Sequence, residues 1–451
     1  MTNIYFVLVR TGIQEYKIWS TSRRLIIFML LYVQLLLSSC NEDNVLSDQI
    51  HEKETHCIEN IGVQAYQRVV YNNNDYSYSF IDVLTKALAN PYNQIPNGKI
   101  IQTNTDALAK SRILEYADNA EFVHSTLVNL DLVSKEYILY NLEGGKNYYF
   151  RVYKDNDPYL LLNSGFFETT GTVRQLKIES RNSNQDWLDN VRDLGGWKAS
   201  ENRKIKYGVI IRGPELNHIT DGVEEVLISD DGVAELRRLG VSVELDLRGL
   251  FEPDASYESS VLGQDVQYIV CPLDLWFYRL NIYCSIKPKA ITFANAIREL
   301  IPCIRENRTV YIHCKGGCDR TGVLCAIIEG LCGVSENDIN HDYELSGRER
   351  NRENYLLAKG DSYDGDFKFA MEYIKGLMKY NGHIYVYYRG NYYSAEEKVN
   401  KHSPNLISDN ALISALSNQR LGSLQDCFRL LMELGGLTEQ EMDELVELLC
   451  S

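Results

Sequence analysis

The chain has 451 residues, more than one hydrophobic core ordinarily serves, so we expect two or three domains. Its 45% hydrophobic and 24% charged residues are typical of a globular protein and exclude wholesale disorder. The net charge of −16 excludes nucleic acid as the main partner, because a phosphate backbone needs a basic face.

The N-terminal residues have the pattern of an export signal. Lys17, Arg23 and Arg24 precede the apolar run "LIIFMLLYVQLLL", which is too short to span a bilayer comfortably. The run ends in "LSSC", which resembles the lipobox of bacterial lipoproteins, where the cysteine is lipidated. We therefore predict a signal peptide over residues 1–40, lipidation at Cys40, and export to the periplasmic or cell-surface side of a bacterial membrane. Cleavage after a small residue, without lipidation, is the alternative.

Residues 41–95 give weaker patterns. Up to about residue 60 the chain is polar and charged, as a tether between an anchor and a first domain is. Further on, "SFIDVLTKALAN" has its apolar residues spaced for one helical face. We expect a tether followed by a helical segment whose place in the fold is open.

Residues 96–173 contain short runs of alternating polarity separated by turn residues, a pattern typical of a small all-β sandwich. The run "LEGGKNYYFRVY" resembles the penultimate-strand motif of fibronectin type III domains. That resemblance implies that the Tyr148 hydroxyl bonds to upstream backbone and that Tyr148, Phe150 and Val152 point inward. No catalytic constellation occurs here, so a spacing or binding role is expected, with an unknown partner.

From residue 174 to 450, strand-like and helix-like runs alternate, which predicts an α/β domain with a central sheet flanked by helices. "GVSVELDLRG" and "TVYIHC" have the pattern of buried strands. "PKAITFANAIRELIPCIRE", "TGVLCAIIEGLCG" and "DFKFAMEYIKGLMKY" have helical spacing. Ser423 and Thr438 are predicted helix N-caps, the latter with Glu441 in a capping box, and "HIYVYYRGNYYS" predicts a hairpin turning at residues 389–391.

Three cysteines occupy the stretch "VYIHCKGGCDRTGVLCAIIEG". Their spacing lacks the paired ligands of a structural zinc site, and the eleven cysteines of the chain fix no disulfide pairing. Cys325 and Cys332 lie on an apolar helix, where a cysteine packs as a small hydrophobe. Cys314 differs, because "HCKGGCDRTG" places it in a loop between an apolar strand and an apolar helix.

The loop that begins at Cys314 has the properties of an anion site. A strand-to-helix loop of this length lets backbone N–H groups converge on one anion, and the helix dipole adds to the field. Its glycines permit sharp turning, and the Arg320 fork matches two phosphate oxygens. This field favours the thiolate of Cys314, a nucleophile, and Thr321 is placed to donate a hydrogen bond to that sulfur. The predicted phosphate-binding residues are Lys315, Gly316, Gly317, Cys318, Asp319 and Arg320.

The motif "HCKGGCDRTG" resembles the HCx5R[ST] phosphate loop of the protein tyrosine and dual-specificity phosphatase superfamily. Its "DRTG" ending is similar to that of the atypical bacterial tyrosine phosphatase family. "NVRDLGGW" and "VELDLRG" are similar to that family's "N-x-RDLGG" element and to its strand ending in Asp-Leu-Arg. The similarity covers about residues 175–378. It implies a two-step reaction without metal or organic cofactor, in which Cys314 attacks phosphorus, an acid protonates the leaving oxygen, and water hydrolyses the cysteinyl-phosphate.

The resemblance leaves the general acid open between two aspartates. Asp274 lies forty residues before Cys314, in the region where the superfamily usually carries its acid on a loop, and we favour it. Asp319 is the alternative, because its position resembles a characteristic of the atypical bacterial family. Without a catalytic role, Asp274 is expected to cap the next segment and Asp319 to accept hydrogen bonds from loop amides.

Further residues are predicted to support the loop. His313 is expected to orient Cys314 or to pack at the strand end, not to act as a base. Asp193 and Arg248 are expected to brace the loop through buried polar contacts, with surface ion pairs as the alternative. Cys318 stands where lipid-active members of the family carry lysine, and it either traps an oxidised Cys314 as a disulfide or packs within the loop.

These residues predict an exported, lipid-anchored phosphomonoesterase that acts on a phosphorylated protein or a small phosphate ester. One alternative is the same chemistry on inositol phosphates or phosphoinositides, for which Lys315 keeps one positive charge beside the nucleophile. Another is a non-catalytic phosphate-binding lipoprotein in which the sandwich carries the biological role. The intact set of Cys314, Arg320 and Thr321 favours the enzyme.

Overall fold

The computed structural model describes residues 98–169, 174–181, 187–220, 223–249, 259–273, 286–349, 364–397 and 405–451. The predicted signal peptide with Cys40, the tether, the helical segment before residue 91 and Asp274 lie outside the described residues. Within those ranges, no helix is long and apolar enough to cross a membrane.

In the part of the chain up to residue 168 that the structure describes, six strands form two antiparallel sheets. One sheet pairs β1 with β4, and the other has the order β3-β2-β5-β6. The second strand, "RILEYA", was not among the predicted strands. Its last four residues are all buried, so it lacks the alternation of polarity that indicates a strand. The strands are β1 (Lys99–Gln102), β2 (Arg112–Ala117), β3 (Thr126–Leu130), β4 (Glu136–Leu139), β5 (Asn147–Lys154) and β6 (Leu161–Glu168).

Both sheets contribute side chains to one hydrophobic core, so they form a sandwich. Tyr148, Phe150 and Val152 of β5 are all buried in that core, as alternation along a strand requires. The backbone N–H of Glu143 donates to the Tyr148 hydroxyl at 3.0 Å. This confirms the predicted bond from Tyr148 to upstream backbone, while the likeness to fibronectin type III domains stays a prediction.

The turn after β4 contacts the segment that follows the sandwich in the chain. Asn141 has a φ of +60° and is buried. Its side-chain amide donates to the Lys177 carbonyl at 3.0 Å, and its side-chain oxygen accepts from the Lys177 N–H at 2.7 Å. The Lys177 ammonium also lies 4.3 Å from the ring centroid of Tyr140. These contacts fix the sandwich against the segment that leads into the central sheet.

The central sheet of the described residues has the strand order β13-β12-β14-β9-β8-β7. Four neighbouring strands, from β13 to β9, are parallel, and β8 and β7 add antiparallel pairs at one side. The strands are β7 (Arg174–Gln175), β8 (Arg192–Asp193), β9 (Ile210–Gly213), β12 (Val241–Asp246), β13 (Gln267–Val270) and β14 (Thr309–His313), with a hairpin of β10 (Asn217–Thr220) and β11 (Val223–Val226) beside them.

The central sheet lies between two hydrophobic cores. Val310 and Ile312 face the larger core, and Tyr311 between them faces the smaller one. The helices of the described residues are α1 (Asp230–Arg238), α2 (Ile286–Arg305), α3 (Asp319–Leu331), α4 (Glu336–Glu349), α5 (Asp364–Lys375), α6 (Asn410–Ser417), α7 (Leu424–Leu434) and α8 (Glu439–Leu449). Helices α2, α3, α7 and α8 pack in the larger core and α1 packs in the smaller, as expected of an α/β domain.

Most of the predicted elements of this domain are confirmed. The hairpin of β16 (His383–Tyr388) and β17 (Asn391–Ser394) turns at Arg389, and both predicted N-caps form capping boxes. The prediction of one helix over "DFKFAMEYIKGLMKY" is wrong at its end, because α5 stops at Lys375 and β15 (Leu377–Tyr380) pairs with β16. The helix ends at Gly376, where an added Cβ would lie 2.0 Å from the Tyr387 carbonyl oxygen.

Candidate active site

The loop from Cys314 to Asp319 joins the end of β14 to the start of α3. Its cysteines are buried free thiols, with Cys314 3% and Cys318 1% exposed. Gly317 has a φ of +65°, and a Cβ there would lie 2.3 Å from the Gly213 carbonyl oxygen. Only glycine fits that position, which confirms the predicted role of Gly317 in the turn.

Side chains from outside the loop bind two of its backbone carbonyl groups. Arg212 Nη2 donates to the Gly317 carbonyl at 2.8 Å, and Asn190 Nδ2 donates to the Gly316 carbonyl at 3.0 Å. The C=O and N–H of one peptide plane point in opposite directions. Fixing these carbonyls outward therefore directs the N–H groups of Gly317 and Cys318 to the opposite side, where an anion can accept from them.

Arg320 lies in the first turn of α3 and is 4% exposed. Its Nη1 donates to the carbonyl oxygens of Leu247 and Leu273, each at 3.5 Å. These two residues follow β12 and β13, which are neighbours in the sheet. The guanidinium is therefore held at the sheet edge where the carboxyl ends of parallel strands meet, the usual place for a ligand in such sheets.

His313 is buried between two carboxylates and the backbone of Cys314. Its Nε2 lies 2.9 Å from Glu244 Oε1, its Nδ1 3.2 Å from the Cys314 carbonyl oxygen and 3.8 Å from Asp246 Oδ1. Because all of these partners accept hydrogen bonds, the contacts favour the doubly protonated ring. Burial alone would lower the pKa of His313, but Asp246 and Glu244 outweigh it and raise the pKa. These contacts fix the His313 ring against the backbone of Cys314, and its role in orienting Cys314 stays a prediction.

Arg248 is buried against Asp246, away from bulk water. Its Nε lies 3.0 and 2.9 Å from the two oxygens of Asp246, and its Nη1 donates to the Asn217 carbonyl at 2.6 Å and to Glu215 at 3.3 Å. The alternative of a surface ion pair is wrong. These bonds link the end of β12 to β10, so Arg248 fixes the carboxylate that faces His313.

The hydrogen bonds observed for Asp193 and Thr321 differ from those predicted. Asp193 is buried, not on the surface, and accepts from the amides of Gly195 and Gly208 at 2.7 Å each, so these bonds stabilise the turn after β8. Thr321 is buried, but in the described part of the chain its hydroxyl has no hydrogen-bond partner, so the predicted bond to the Cys314 sulfur is not formed. The helical backbone sets the direction of Thr321, which spacing alone did not reveal.

The remaining loop residues divide between the interior and the surface. Cys318 donates its thiol to the Gly316 carbonyl at 3.1 Å and accepts from Asn190 Nδ2 at 3.4 Å, as a packed loop side chain does. Asp319 opens α3 and accepts from the Tyr343 hydroxyl at 3.4 Å. Lys315 is exposed, and its carbonyl accepts from the Glu215 N–H at 3.2 Å. Asp274 lies outside the described residues.

Comparison with known proteins finds a family model that matches the residues around this loop. Residues 184–383 match the tyrosine phosphatase family. The match contains the Asn190 to Trp197 element, the end of β12 and the whole loop with Arg320.

Single proteins similar to this part of the chain are also known. The protein of Cupriavidus necator named "Putative tyrosine-protein phosphatase H16_A0669" is 24% identical over 183 residues, which are 37% of this chain. The chain spans 63% of that relative's length. The crystal structure of P. aeruginosa TpbA is 19% identical and covers 39% of this chain and 96% of its own, with a TM-score of 0.24. The crystal structure of TpbA in complex with phosphotyrosine covers 38% of this chain and 91% of its own, with the same identity and TM-score.

Several polar residues around the candidate site were not predicted. Asn190 and Arg212 hold the loop carbonyls, and Glu244 and Asp246 hold His313. Asp342 of α4 accepts from Arg212 and from Arg192 Nε, the latter at 2.8 Å. Asn190, Glu244 and Asp246 stood inside the quoted motifs, so a polar residue in an otherwise buried stretch was the available indication. Asp342 lay in no motif, and only the fold brings it to the site.

The network around Asp246 predicts a loss of stability in acid. Burial opposes ionisation of Asp246, but His313 and Arg248 outweigh it and lower its pKa to about 2. Because the unfolded-state pKa is higher, about 3.9, the carboxylate stabilises the fold above about pH 4, and that contribution is lost as the pH falls to about 2. Between pH 4 and 2, the free energy of unfolding, measured with urea, should therefore fall by about 2 kcal/mol less in Asp246→Asn than in the parent protein. Asp231→Asn, at an exposed carboxylate of α1, is the control, and equal curves for the two variants would contradict the assignment.

Proposed function

We propose that this protein is a cysteine-dependent phosphomonoesterase of the protein-tyrosine-phosphatase type. The observation that carries the proposal is the recessed Cys314 at the end of β14, in a loop whose carbonyls are fixed outward and whose Arg320 is held at the same sheet edge. The match of residues 184–383 to the tyrosine phosphatase family supports it independently.

The proposed reaction uses these groups in two steps. The Cys314 thiolate attacks phosphorus, and the bond between phosphorus and the leaving oxygen breaks as an acid protonates that oxygen. Water then hydrolyses the cysteinyl-phosphate and releases inorganic phosphate and the thiolate. Arg320 and the inward loop amides stabilise the charge on the transferring oxygens in both steps. His313, whose pKa Asp246 and Glu244 raise against the effect of burial, lies beside the backbone of Cys314.

Phosphotyrosine is the proposed substrate class, on a protein or a smaller ester. Because Cys314 is only 3% exposed, a phosphate carried on a long flat side chain reaches the sulfur more readily than one carried on serine. The name of the Cupriavidus necator relative agrees with this class. Inositol phosphates and phosphoinositides are the competing substrates, favoured by exposed Lys315.

Release of p-nitrophenol from p-nitrophenyl phosphate by the full chain, kept in a thiol reductant, tests the activity. Rates on a phosphotyrosine peptide, the matching phosphoserine peptide, inositol hexakisphosphate and phosphoinositide vesicles then assign the substrate class. We expect the phosphotyrosine peptide to be fastest. No release above the blank, while Cys314 is shown by alkylation to be reduced, would leave a phosphate-binding protein instead.

The proposed general acid is Asp274. Asp319 lies in the first turn of α3, where the helix dipole stabilises an ionised carboxylate, whereas a general acid must carry a proton. Asp274→Asn should therefore slow hydrolysis of phenyl phosphate by about 10²- to 10⁴-fold, because phenolate is a poor leaving group. The same variant should lose far less with p-nitrophenyl phosphate. If Asp319→Asn shows this dependence on the leaving group and Asp274→Asn does not, the assignment is reversed.

We also propose that the protein is exported and anchored by a lipid on Cys40. The basic residues, the apolar run and "LSSC" support this, and the anchor is a fatty acyl modification of a soluble chain. Growth of a producing bacterium with an alkynyl fatty acid should label the full chain and transfer it to the membrane fraction. Cys40→Ser should lose both, and retention of label by that variant would contradict the anchor.

A further inference from the structure

Cys332 and Cys450 form a pair of buried thiols at the far end of α3 from the phosphate loop. Cys332 is the C-cap of α3 and Cys450 the C-cap of α8, and they are 0% and 5% exposed. The two thiols are close enough to shift each other's pKa, and their mutual interaction is the largest cause that raises the pKa of Cys332 and lowers that of Cys450. At about 1.5 Å per residue, the thirteen residues of α3 place the pair roughly 20 Å from the loop.

Two buried thiols elsewhere in the chain have backbone partners. Cys303 donates to the Glu299 carbonyl at 3.3 Å, and Cys427 lies 3.7 Å from the Lys375 carbonyl. These are the contacts of cysteines that pack as small side chains. Cys332 and Cys450 differ, because each thiol is the largest cause of the other's pKa shift.

The backbones of the two cysteines are fixed to one hairpin, residues 199–206. The Ser200 N–H donates to the Cys332 carbonyl at 2.9 Å. Beside Cys450, Lys204 and Ser451 exchange two backbone hydrogen bonds of 2.9 and 3.0 Å, and the Lys206 N–H donates to the Leu449 carbonyl at 2.8 Å. Because one short hairpin bonds to the backbone at or beside both cysteines, the folded chain holds Cys332 and Cys450 near each other.

We propose that Cys332 and Cys450 are oxidised to a disulfide that ties α8 to the C-terminal end of α3. The bond would close a chain segment of more than one hundred residues that includes α4 to α8, and a long closed loop gains the most from a crosslink. It is independent of the proposed phosphatase chemistry. Export of the chain, as its N-terminal sequence predicts, would place the pair where disulfides persist.

The oxidant is a disulfide of a small thiol or of an oxidoreductase, written RSSR. The Cys450 thiolate attacks one sulfur of RSSR, which releases RS⁻ and forms a mixed disulfide. The Cys332 sulfur then attacks the Cys450 sulfur and releases the second thiol, so two thiols and RSSR give one internal disulfide and two RSH. The hydrogen bond from Cys332, opposed by burial and aided by Arg203 and Lys206, lowers the pKa of Cys450, which makes it the first nucleophile.

The test is thiol mapping of the full chain in the Cys314→Ser background, which removes oxidation of the proposed nucleophile. The protein is incubated with oxidised glutathione, denatured and alkylated in acid, and digested for mass spectrometry. We expect a linked peptide pair containing residues 332 and 450, and loss of alkylation at both. Oxidation should also raise Tm by about 5–10 °C, and a reductant should reverse the shift.

Matched variants separate a specific bond from general oxidation. Cys332→Ser and Cys450→Ser should each abolish the linked peptide and the oxidant-dependent rise in Tm, whereas Cys303→Ser should keep both. If either serine variant fails to fold, the map of the parent protein still decides. Full alkylation of Cys332 and Cys450 after oxidation, or a linked peptide that joins either of them to another cysteine, would overturn the proposal.

Discussion

Replacing Cys314 with serine is expected to lower phosphate release by at least about 10⁴-fold, the largest effect of any change in this chain. A serine hydroxyl is a far weaker nucleophile than a thiolate, and no base lies in the described site to activate it, since His313 is engaged with Glu244 and with the Cys314 carbonyl. The loop amides and Arg320 do not depend on the sulfur. The variant should therefore still bind orthovanadate or inorganic phosphate, seen as protection against thermal unfolding.

The control for this change is Cys303→Ser. Cys303 is a buried thiol that donates to the Glu299 carbonyl at 3.3 Å, and a serine hydroxyl can make the same bond, so activity should be unchanged. Retention of more than about 1% of the activity by Cys314→Ser would exclude the proposed nucleophile. Loss of both activity and oxyanion binding would show that the sulfur is needed to shape the loop.

The sequence predicted the parts of the site that are adjacent along the chain. Cys314, Gly317 and Arg320 share one strand-to-helix loop, so spacing and residue type sufficed to place them. Partners brought together by the fold were beyond such reasoning. Arg212 reaches Gly317 because β9 and β14 are neighbours in a parallel sheet, and nothing in the spacing of residues 212 and 317 indicates this pairing.

The sequence also did not predict the direction in which some side chains point from a correctly predicted helix or strand. Thr321 lies in the helix that the sequence predicted, but its hydroxyl does not reach the sulfur. Asp193 lies in the quoted motif "NVRDLGGW", and its carboxylate accepts from the turn after β8 and from Gly208 just before β9, which spacing did not indicate. The buried face of β5 and the N-caps of α7 and α8 were predicted correctly. Alternation along a strand and capping residues at a helix start are local properties of the chain, so the sequence reveals them.

Replacing Asp342 with asparagine is expected to have the second-largest effect, because it removes the anion between two buried arginines. Asp342 accepts from Arg192 and Arg212, and all three side chains are at most 2% exposed. Loss of one partner from a buried pair typically costs about 3–5 kcal/mol. Since Arg212 also holds the Gly317 carbonyl, kcat/KM should fall by about 10- to 100-fold in the molecules that stay folded.

Glu329 makes this prediction more specific. It is buried in α3, and its pKa is raised well above the usual range, by burial first and then by Asp342, so both causes favour its neutral form. Removing the Asp342 charge removes one of these causes, and the two arginines then favour ionised Glu329. We expect Glu329 to replace part of the lost charge, so Glu329→Gln should cost more stability in the Asp342→Asn background than in the parent protein.

The measurement is a double-mutant cycle of urea unfolding at pH 7, with kcat/KM recorded on p-nitrophenyl phosphate. Asp265→Asn is the control, because Asp265 pairs with Arg237 at the surface with 70% of its side chain exposed, and such pairs contribute at most about 1 kcal/mol. Equal losses for Asp342→Asn and Asp265→Asn would show that the buried pair does not fix the loop. Strictly additive losses for Asp342→Asn and Glu329→Gln would show that Glu329 stays neutral when the aspartate charge is removed. An excess loss in the double variant would instead place Glu329 in the charge balance that holds Arg212, and through it Gly317, in position.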